Sequence, residues 1–250
     1  MNRALRPIAA IIPVALGGYL FQAHRQVSHV KPSEVSVGEV GSASILESTA
    51  HAIVNPSGHA RSPDVRSIVI ELPPSKRSRS DEEILAEYVD GFFGGWVFAP
   101  EQMAGVEGES IWTRQELKTS RVPTLGSILF GAFQVIDASI IKQLPDEYVD
   151  TKDDRAESYI DFGFGSDRSS FSGFHRLSVR RLEPFEEEIS DIEKPSSSAE
   201  NSPTLIRLTL SCFACNPSLD RPMGSGLLRT FHLTYAMLLF REGVANVLHG

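Results

Sequence analysis

The chain has 250 residues, of which 41% are hydrophobic and 22% are charged, so it can bury a core of ordinary globular size. Its formal net charge of −8 argues against a nucleic-acid-binding protein, because phosphate backbones are bound by clustered lysine and arginine. Two cysteines are too few for a disulfide framework.

The first 33 residues contain no acidic residue and include an apolar run from Pro7 to Phe21, flanked by basic residues. This run is shorter than the roughly 20 residues that span a bilayer. It fits a short membrane anchor or a mitochondrial targeting segment about equally; a packed domain segment ranks below these. A secretory signal is less favoured because no small-x-small cleavage site follows. We therefore expect a protein that is membrane-associated through one N-terminal anchor, or mitochondrial.

Residues 34–66 are rich in serine, glycine and proline, which predicts a linker with one short strand at Val35–Val40. The domain proper is predicted from residue 67 to residue 250. It begins with a strand at Ser67–Leu72, which two prolines end. Ser80 and Glu83 have the spacing of a capping box and predict the start of a helix.

An aromatic patch follows that helix and includes Phe93, Trp96 and Phe98. The patch belongs either to the core or to the mouth of an apolar pocket. The segment Gly126–Ile136 is apolar on both faces and predicts one covered strand, in which Gly131 marks a bend.

Alternating residues predict a hairpin made of Ser158–Gly165 and a second strand beginning at Phe171. One face of it carries apolar side chains, and Tyr159 and Asp161 lie on the other face, where we expect them to be solvated. Residues 183–203 are acidic and rich in serine and proline, which indicates a flexible loop. A further strand is predicted at Thr204–Cys215.

The segment Ser225–His249 contains no proline and carries a wide apolar stripe that includes Leu228, Phe231, Tyr235 and Leu239. It predicts a helix of about 37 Å at 1.5 Å per residue, long enough to cross a small domain. The predicted fold is therefore α+β: a curved antiparallel sheet packed on a long C-terminal helix, with an N-terminal hydrophobic segment. A pocket is expected between helix and sheet.

Few residues suggest chemistry. Cys212 and Cys215 form one C-x-x-C pair, whereas a zinc site usually needs four ligands. The offset of three residues between them also places the two thiols on opposite faces of a strand. We expect two ordinary cysteines, one of them buried, and neither a metal nor a cofactor. His175 points toward the apolar side of the sheet, where it is either a hydrogen-bonded core residue or a general acid or base. His232 lies on the last helix.

Three stretches resemble the strands and last helix of the helix-grip superfamily, which includes START-like and polyketide-cyclase-like proteins. They are Gly131–Val135, Ser158–Phe164 leading to His175–Val179, and Phe231–Tyr235. The resemblance covers about residues 67–250; the N-terminal block and the acidic stretch are additions. It implies binding of an apolar small molecule, and it does not imply catalysis, because the fold hosts both binders and enzymes.

Three functions follow as hypotheses. The first is a protein that binds a lipid or polyketide-like molecule; the second is a cofactor-independent cyclase or isomerase of secondary metabolism that uses His175. The third is a membrane-linked assembly protein whose acidic loop binds a partner. The predicted ligand-binding residues are Phe93, Trp96, Phe98, Phe133, Phe162, Phe164, Leu177, Phe231 and Tyr235.

Overall fold

A computed structural model describes residues 17–38, 43–99, 110–111, 113–141, 157–166, 170–182, 203–221 and 226–250. These residues form one sheet of eight strands, six α-helices, and two 3-10 helices at Pro32–Glu34 and Pro74–Lys76. The strands are β1 Ser36–Gly38, β2 Arg61–Glu71, β3 Ser110–Ile111, β4 Ile128–Leu129, β5 Phe133–Ser139, β6 Ser158–Gly165, β7 Ser172–Leu182 and β8 Leu205–Cys215. The helices are α1 17–27, α2 Ala43–Leu46, α3 Thr49–Val54, α4 Asp81–Gly94, α5 Arg114–Leu117 and α6 Gly226–His249.

The sheet is open, with the strand order β1-β2-β8-β7-β6-β5-β4-β3. Neighbouring strands are antiparallel, except that β3 and β4 pair in parallel. The three longest strands, β2, β8 and β7, pair over eleven residues each and form its centre. The α+β prediction of an antiparallel sheet with a C-terminal helix packed on it is confirmed.

The capping box at the start of α4 forms as predicted. The Glu83 amide donates to Ser80 Oγ at 3.3 Å, and the Ser80 amide donates to Glu83 Oε2 at 2.9 Å. Each residue therefore satisfies a backbone donor that a helix start leaves free.

Helices α4 and α6 cross at a glycine contact. A Cβ at Gly91 would lie 2.8 Å from the Cα of Gly243 and 2.5 Å from Cβ of Asn246, so a side chain at position 91 would force the backbones apart. The Asn246 amide donates to the Glu87 carbonyl at 2.8 Å and fixes the crossing. The main core fills the space between this helix pair and the sheet, with Leu85, Val89, Phe92, Ile160, Phe162, Leu177, Val179, Leu208, Leu210, Leu239, Phe240 and Val244 among its buried residues.

The other face of the sheet is covered in part by α2 and α3. Ile45, Ala50 and Val54 pack there against Phe174 and Phe213 in a second, smaller core. Part of the interval 34–66, predicted as a linker, is thus built into the fold, and β2 begins at residue 61 rather than at 67. The sequence obscured this strand because Pro63 and polar residues occupy its first half.

The single strand predicted over residues 126–136 is wrong. Two strands, β4 and β5, meet at a turn in which Phe130 and Gly131 have φ angles of 51° and 68°. Two successive positive φ angles are typical of the tight turn that joins antiparallel strands, and glycine adopts them without strain.

The prediction that Tyr159 and Asp161 are solvated is also wrong for Asp161. Arg176 on β7 donates to both carboxylate oxygens of Asp161, at 2.8 and 2.7 Å, and both side chains are buried. The Arg176 guanidinium also lies 3.8 Å from the centre of the half-buried Tyr159 ring. Cross-strand pairing places these residues together, which alternation alone did not reveal.

Helix α1 packs on the domain rather than standing away from it. Tyr19 donates to the Trp96 carbonyl at 2.6 Å, and Arg241 on α6 donates to the carbonyls of Val27 and Val30 at 2.8 and 2.6 Å. No helix among the described residues combines the length and apolarity needed to cross a membrane. Residues 1–16, which hold most of the predicted anchor, and residues 183–202 of the acidic stretch lie outside the described residues.

Candidate functional site

A cavity of about 680 Å³ lies between α6, the end of α4 and one end of the sheet. Its volume falls within the range of roughly 300–1,000 Å³ that is typical of small-molecule sites. The apolar part of its lining is mainly aromatic and comprises Phe92, Phe98, Phe133, Phe164, Phe171, Phe231 and Tyr235, with Leu233, Ala236, Leu239 and Ala214 between them.

Five of the nine predicted ligand-binding residues line this cavity. They are Phe98, Phe133, Phe164, Phe231 and Tyr235, and the predicted catalytic residue His175 joins them.

The other four predicted residues lie behind the walls. Phe93 is buried and packs its ring 5.3 Å from Phe98 and 5.2 Å from Phe133, so it supports the lining. Phe162 and Leu177 belong to the buried core. Trp96 packs away from the cavity: its ring centre lies 6.2 Å from that of Tyr19, and the Arg114 guanidinium lies over its ring.

Two aromatic side chains of the lining are exposed to solvent. Phe231 is 66% exposed and stacks on Tyr235 with ring centres 5.9 Å apart, and Phe171 is 42% exposed and stacks on Phe164 at 5.2 Å. Among the side chains of α6 that the structure describes, burial begins at Ala236, because Phe231 and Tyr235 lie at the cavity. Exposed phenylalanines beside a cavity indicate a surface that binds an apolar molecule.

His175 forms part of the cavity wall and packs among Phe92, Phe133 and Phe164, with ring centres 4.8–6.0 Å away. Its Nδ1 lies 3.1 Å from Sγ of Cys212. Burial, assisted by His232 and Arg66, lowers the pKa of His175 to about 3, so the imidazole is neutral at pH 7. A base of such low pKa accepts a proton poorly near neutral pH.

The cysteine pair faces two different environments. Cys212 is in the main core beside His175, whereas Cys215 belongs to the second core, where its thiol donates to the Val54 carbonyl at 3.6 Å. Both are free and buried, although only one was expected to be. Burial raises the pKa of the Cys212 thiol, which is therefore protonated at neutral pH and is no activated nucleophile.

A polar cluster on the cavity wall was missed in the sequence. Asp64 and Arg66 on β2 form a buried ion pair, and Arg66 also donates to the Leu233 carbonyl of α6 at 2.8 Å. Ligand atoms of Asp64, Cys212 and His232 lie within 4.8 Å of one another. The signal available in the sequence was weak, because Asp64 and Arg66 lie in the interval predicted as a linker.

Glu242 of α6 holds the loop that leads to Phe98. Its carboxylate is buried and accepts from the amides of Trp96, at 2.6 Å, and Val97, at 2.8 Å. Gly95 is needed beside it, since a Cβ there would lie 2.2 Å from Glu242 Oε2. Glu242 thus positions one wall of the cavity without lining it.

Comparison with protein families, curated proteins and solved structures found no match for this chain. The resemblance to the helix-grip superfamily stays a prediction.

Proposed function

We propose that the protein binds a lipophilic small molecule in the cavity beneath α6. The observation that carries this proposal is an aromatic-lined space of about 680 Å³ flanked by two exposed phenylalanines, Phe171 and Phe231. Apolar burial of this kind stabilises a bound ligand by roughly 25 cal/mol per Å² removed from water, before the costs of association.

One wall of the cavity is polar, which bears on the chemistry of the ligand. The polar side chains of the lining are those of Ser62, Asp64, His175, His232 and Tyr235, and most of the other lining residues are apolar. A few placed polar groups commonly orient a ligand in such a site. The proposed ligand is therefore an amphiphile, with an apolar body and one polar end that carries hydrogen-bonding oxygen or nitrogen.

Binding is favoured over the cyclase or isomerase alternative. That alternative needs His175 to exchange protons near neutral pH, and burial lowers its pKa to about 3. The helix-grip resemblance supports the same choice only in so far as it implies a ligand cavity.

A cavity-filling variant tests the proposal. In Ala214→Trp, a large side chain enters the lining, whereas Ala138→Trp places the same side chain at an exposed position of the same sheet, outside the lining. The full chain is titrated with the uncharged fluorophore N-phenyl-1-naphthylamine, and the organic extract of the purified protein is examined by mass spectrometry.

The wild type and Ala138→Trp are expected to bind the fluorophore saturably, and Ala214→Trp at least tenfold more weakly with an unchanged circular dichroism spectrum. Absence of saturable binding to the wild type, or equal loss in both variants, would overturn the proposal.

We also propose that the N-terminal segment carries the membrane or mitochondrial targeting signal. Because α1 packs on the domain, a truncation at residue 33 would strip the buried Val27 and Val30 from the core. The informative truncation removes residues 1–16 only. A fluorescent fusion of the full chain is expected to localise to a membrane or to mitochondria, and the truncated fusion is expected to be diffuse; identical distributions would refute the proposal.

A further inference from the structure

We propose that Asp64, Cys212 and His232 form a Zn²⁺ site in the polar wall of the cavity. This inference goes beyond ligand binding and does not depend on it.

Strand register places two of the ligands side by side. Asp64 of β2 is the direct partner of Cys212 of β8, and Cys212 is in turn the direct partner of His175 of β7. Directly opposed residues of neighbouring strands project to the same face with Cβ atoms about 5 Å apart. An aspartate, a cysteine and a histidine therefore form one row across three central strands, on the face turned toward α6.

Helix α6 adds the third ligand from above this row. One ligand atom each from Asp64, Cys212 and His232 lies within 4.8 Å of the others. Ligands of a tetrahedral zinc ion, at about 2.0–2.3 Å from the metal, stand roughly 3.5 Å apart. The limit of 4.8 Å exceeds the spacing in a loaded site by roughly 1 Å, which is within the reach of side-chain rotation.

The ligand set determines which ion fits. A cysteine sulfur and an imidazole nitrogen favour zinc and related first-row metals over calcium and magnesium, which prefer oxygen ligands. Binding converts the Cys212 thiol to a thiolate and releases one proton to solvent for each ion bound. The thiolate and the Asp64 carboxylate then supply two negative charges against three positive ones, two from the ion and one from the Arg66 guanidinium that pairs with Asp64.

Two neighbouring side chains are placed to hold these ligands in position. Arg66 pairs with Oδ2 of Asp64, which leaves the other carboxylate oxygen for the metal. His175, at 3.1 Å from the Cys212 sulfur, is placed to hydrogen-bond that ligand. Such outer contacts orient metal ligands in many proteins.

Three protein ligands leave one coordination position of a tetrahedral ion unfilled. Asp64 and His232 line the cavity, so this position faces its interior. The proposed ion would bind an oxygen or nitrogen atom of a small molecule there.

Cobalt titration of the full chain tests the site. After chelator treatment, addition of Co²⁺ is expected to give a thiolate-to-cobalt charge-transfer band in the near ultraviolet and tetrahedral d–d bands in the visible, saturating at one ion per chain. Zn²⁺ is expected to displace the cobalt and abolish both.

The chain offers a matched control for the sulfur ligand. Cys212→Ser is expected to lose the charge-transfer band and at least tenfold in cobalt affinity, whereas Cys215→Ser, which alters the thiol on the opposite face of β8, is expected to keep both. His232→Gln, at a half-buried position of α6, is expected to weaken binding similarly while the circular dichroism spectrum is unchanged.

The proposal is overturned if the wild type gives no charge-transfer band, if Cys212→Ser retains the band, or if His232→Gln binds cobalt as the wild type does. Binding of N-phenyl-1-naphthylamine is measured on the same samples. Its retention by a protein that binds no cobalt would refute the metal site while leaving ligand binding intact.

Discussion

Replacing Glu242 by glutamine should loosen the loop that forms one wall of the cavity. The carboxylate accepts two backbone hydrogen bonds, from the amides of Trp96 and Val97. Glutamine has the same shape, but it presents an NH₂ group to one of these two donors. One charge-assisted bond is lost and one buried amide is left without an acceptor.

The magnitude follows from these contacts. A hydrogen bond to a charged group contributes about 1.5–3 kcal/mol, so Glu242→Gln should lower the free energy of unfolding by about 2–3 kcal/mol. For a chain of this length, that corresponds to a fall in Tm of about 4–12 °C. Glu242→Leu, which satisfies neither amide, should cost more.

Urea denaturation at pH 8, followed by circular dichroism, measures the effect. Glu71→Gln is the matched control, because Glu71 forms an ion pair with Arg77 from a side chain that is 52% exposed, and its loss should change stability by less than about 0.5 kcal/mol. If Glu242→Gln is as stable as Glu71→Gln, the carboxylate does not hold the loop and the reasoning fails.

Three further outcomes are expected. Arg176→Met should cost about 3–5 kcal/mol in urea denaturation, because it leaves the buried Asp161 carboxylate without its partner. Gly91→Val should cost at least about 1–3 kcal/mol by the same assay, because its side chain would meet the Gly243 backbone at the helix crossing. Burial, together with Arg61, lowers the pKa of His51, so the folded state resists its protonation. The contribution of His51 to the free energy of unfolding is therefore complete above pH 6.5 and is lost as the pH falls. Unfolding free energies at pH 7.5 and 5.5 should therefore differ less in His51→Phe than in the wild type.

Two controls separate these effects from general sensitivity to mutation. Lys31→Met removes a charge whose side chain is 74% exposed, and Gly18→Val adds a side chain where nothing lies within 4 Å. Both should be near wild type in stability. Equal losses of stability in Lys31→Met and Arg176→Met, or in Gly18→Val and Gly91→Val, would contradict the corresponding prediction. The His51 prediction would be contradicted if the stability of His51→Phe changed with pH as much as that of the wild type.

The elements with strong local signals were predictable from sequence. The capping box predicts the start of α4, and the alternation of apolar and polar residues predicts β6, β7 and β8. The long apolar C-terminal segment indicated α6. These signals are local in the chain, and in each case packing agrees with them.

The missed features depend on contacts between distant residues. Asp161 looked solvated because alternation assigns a residue to a face and does not show that Arg176 stands opposite it. Asp64 reaches the cavity wall only through its pairing with Cys212, and Glu242 appeared as one acid in an apolar helix. The partner of a buried polar residue is often distant in sequence, so the residues next to it in the chain do not predict that it is buried.

The opposite orientation of the two thiols on β8 has a practical consequence. The chain has no other cysteine, and a disulfide needs Cβ atoms about 4 Å apart with converging sulfurs, so a folded molecule cannot crosslink itself. Because both sulfurs are also shielded from solvent, a dimer band on a non-reducing gel would come from molecules that had opened. The fraction of covalent dimer formed under mild oxidation would thus measure how often this protein unfolds.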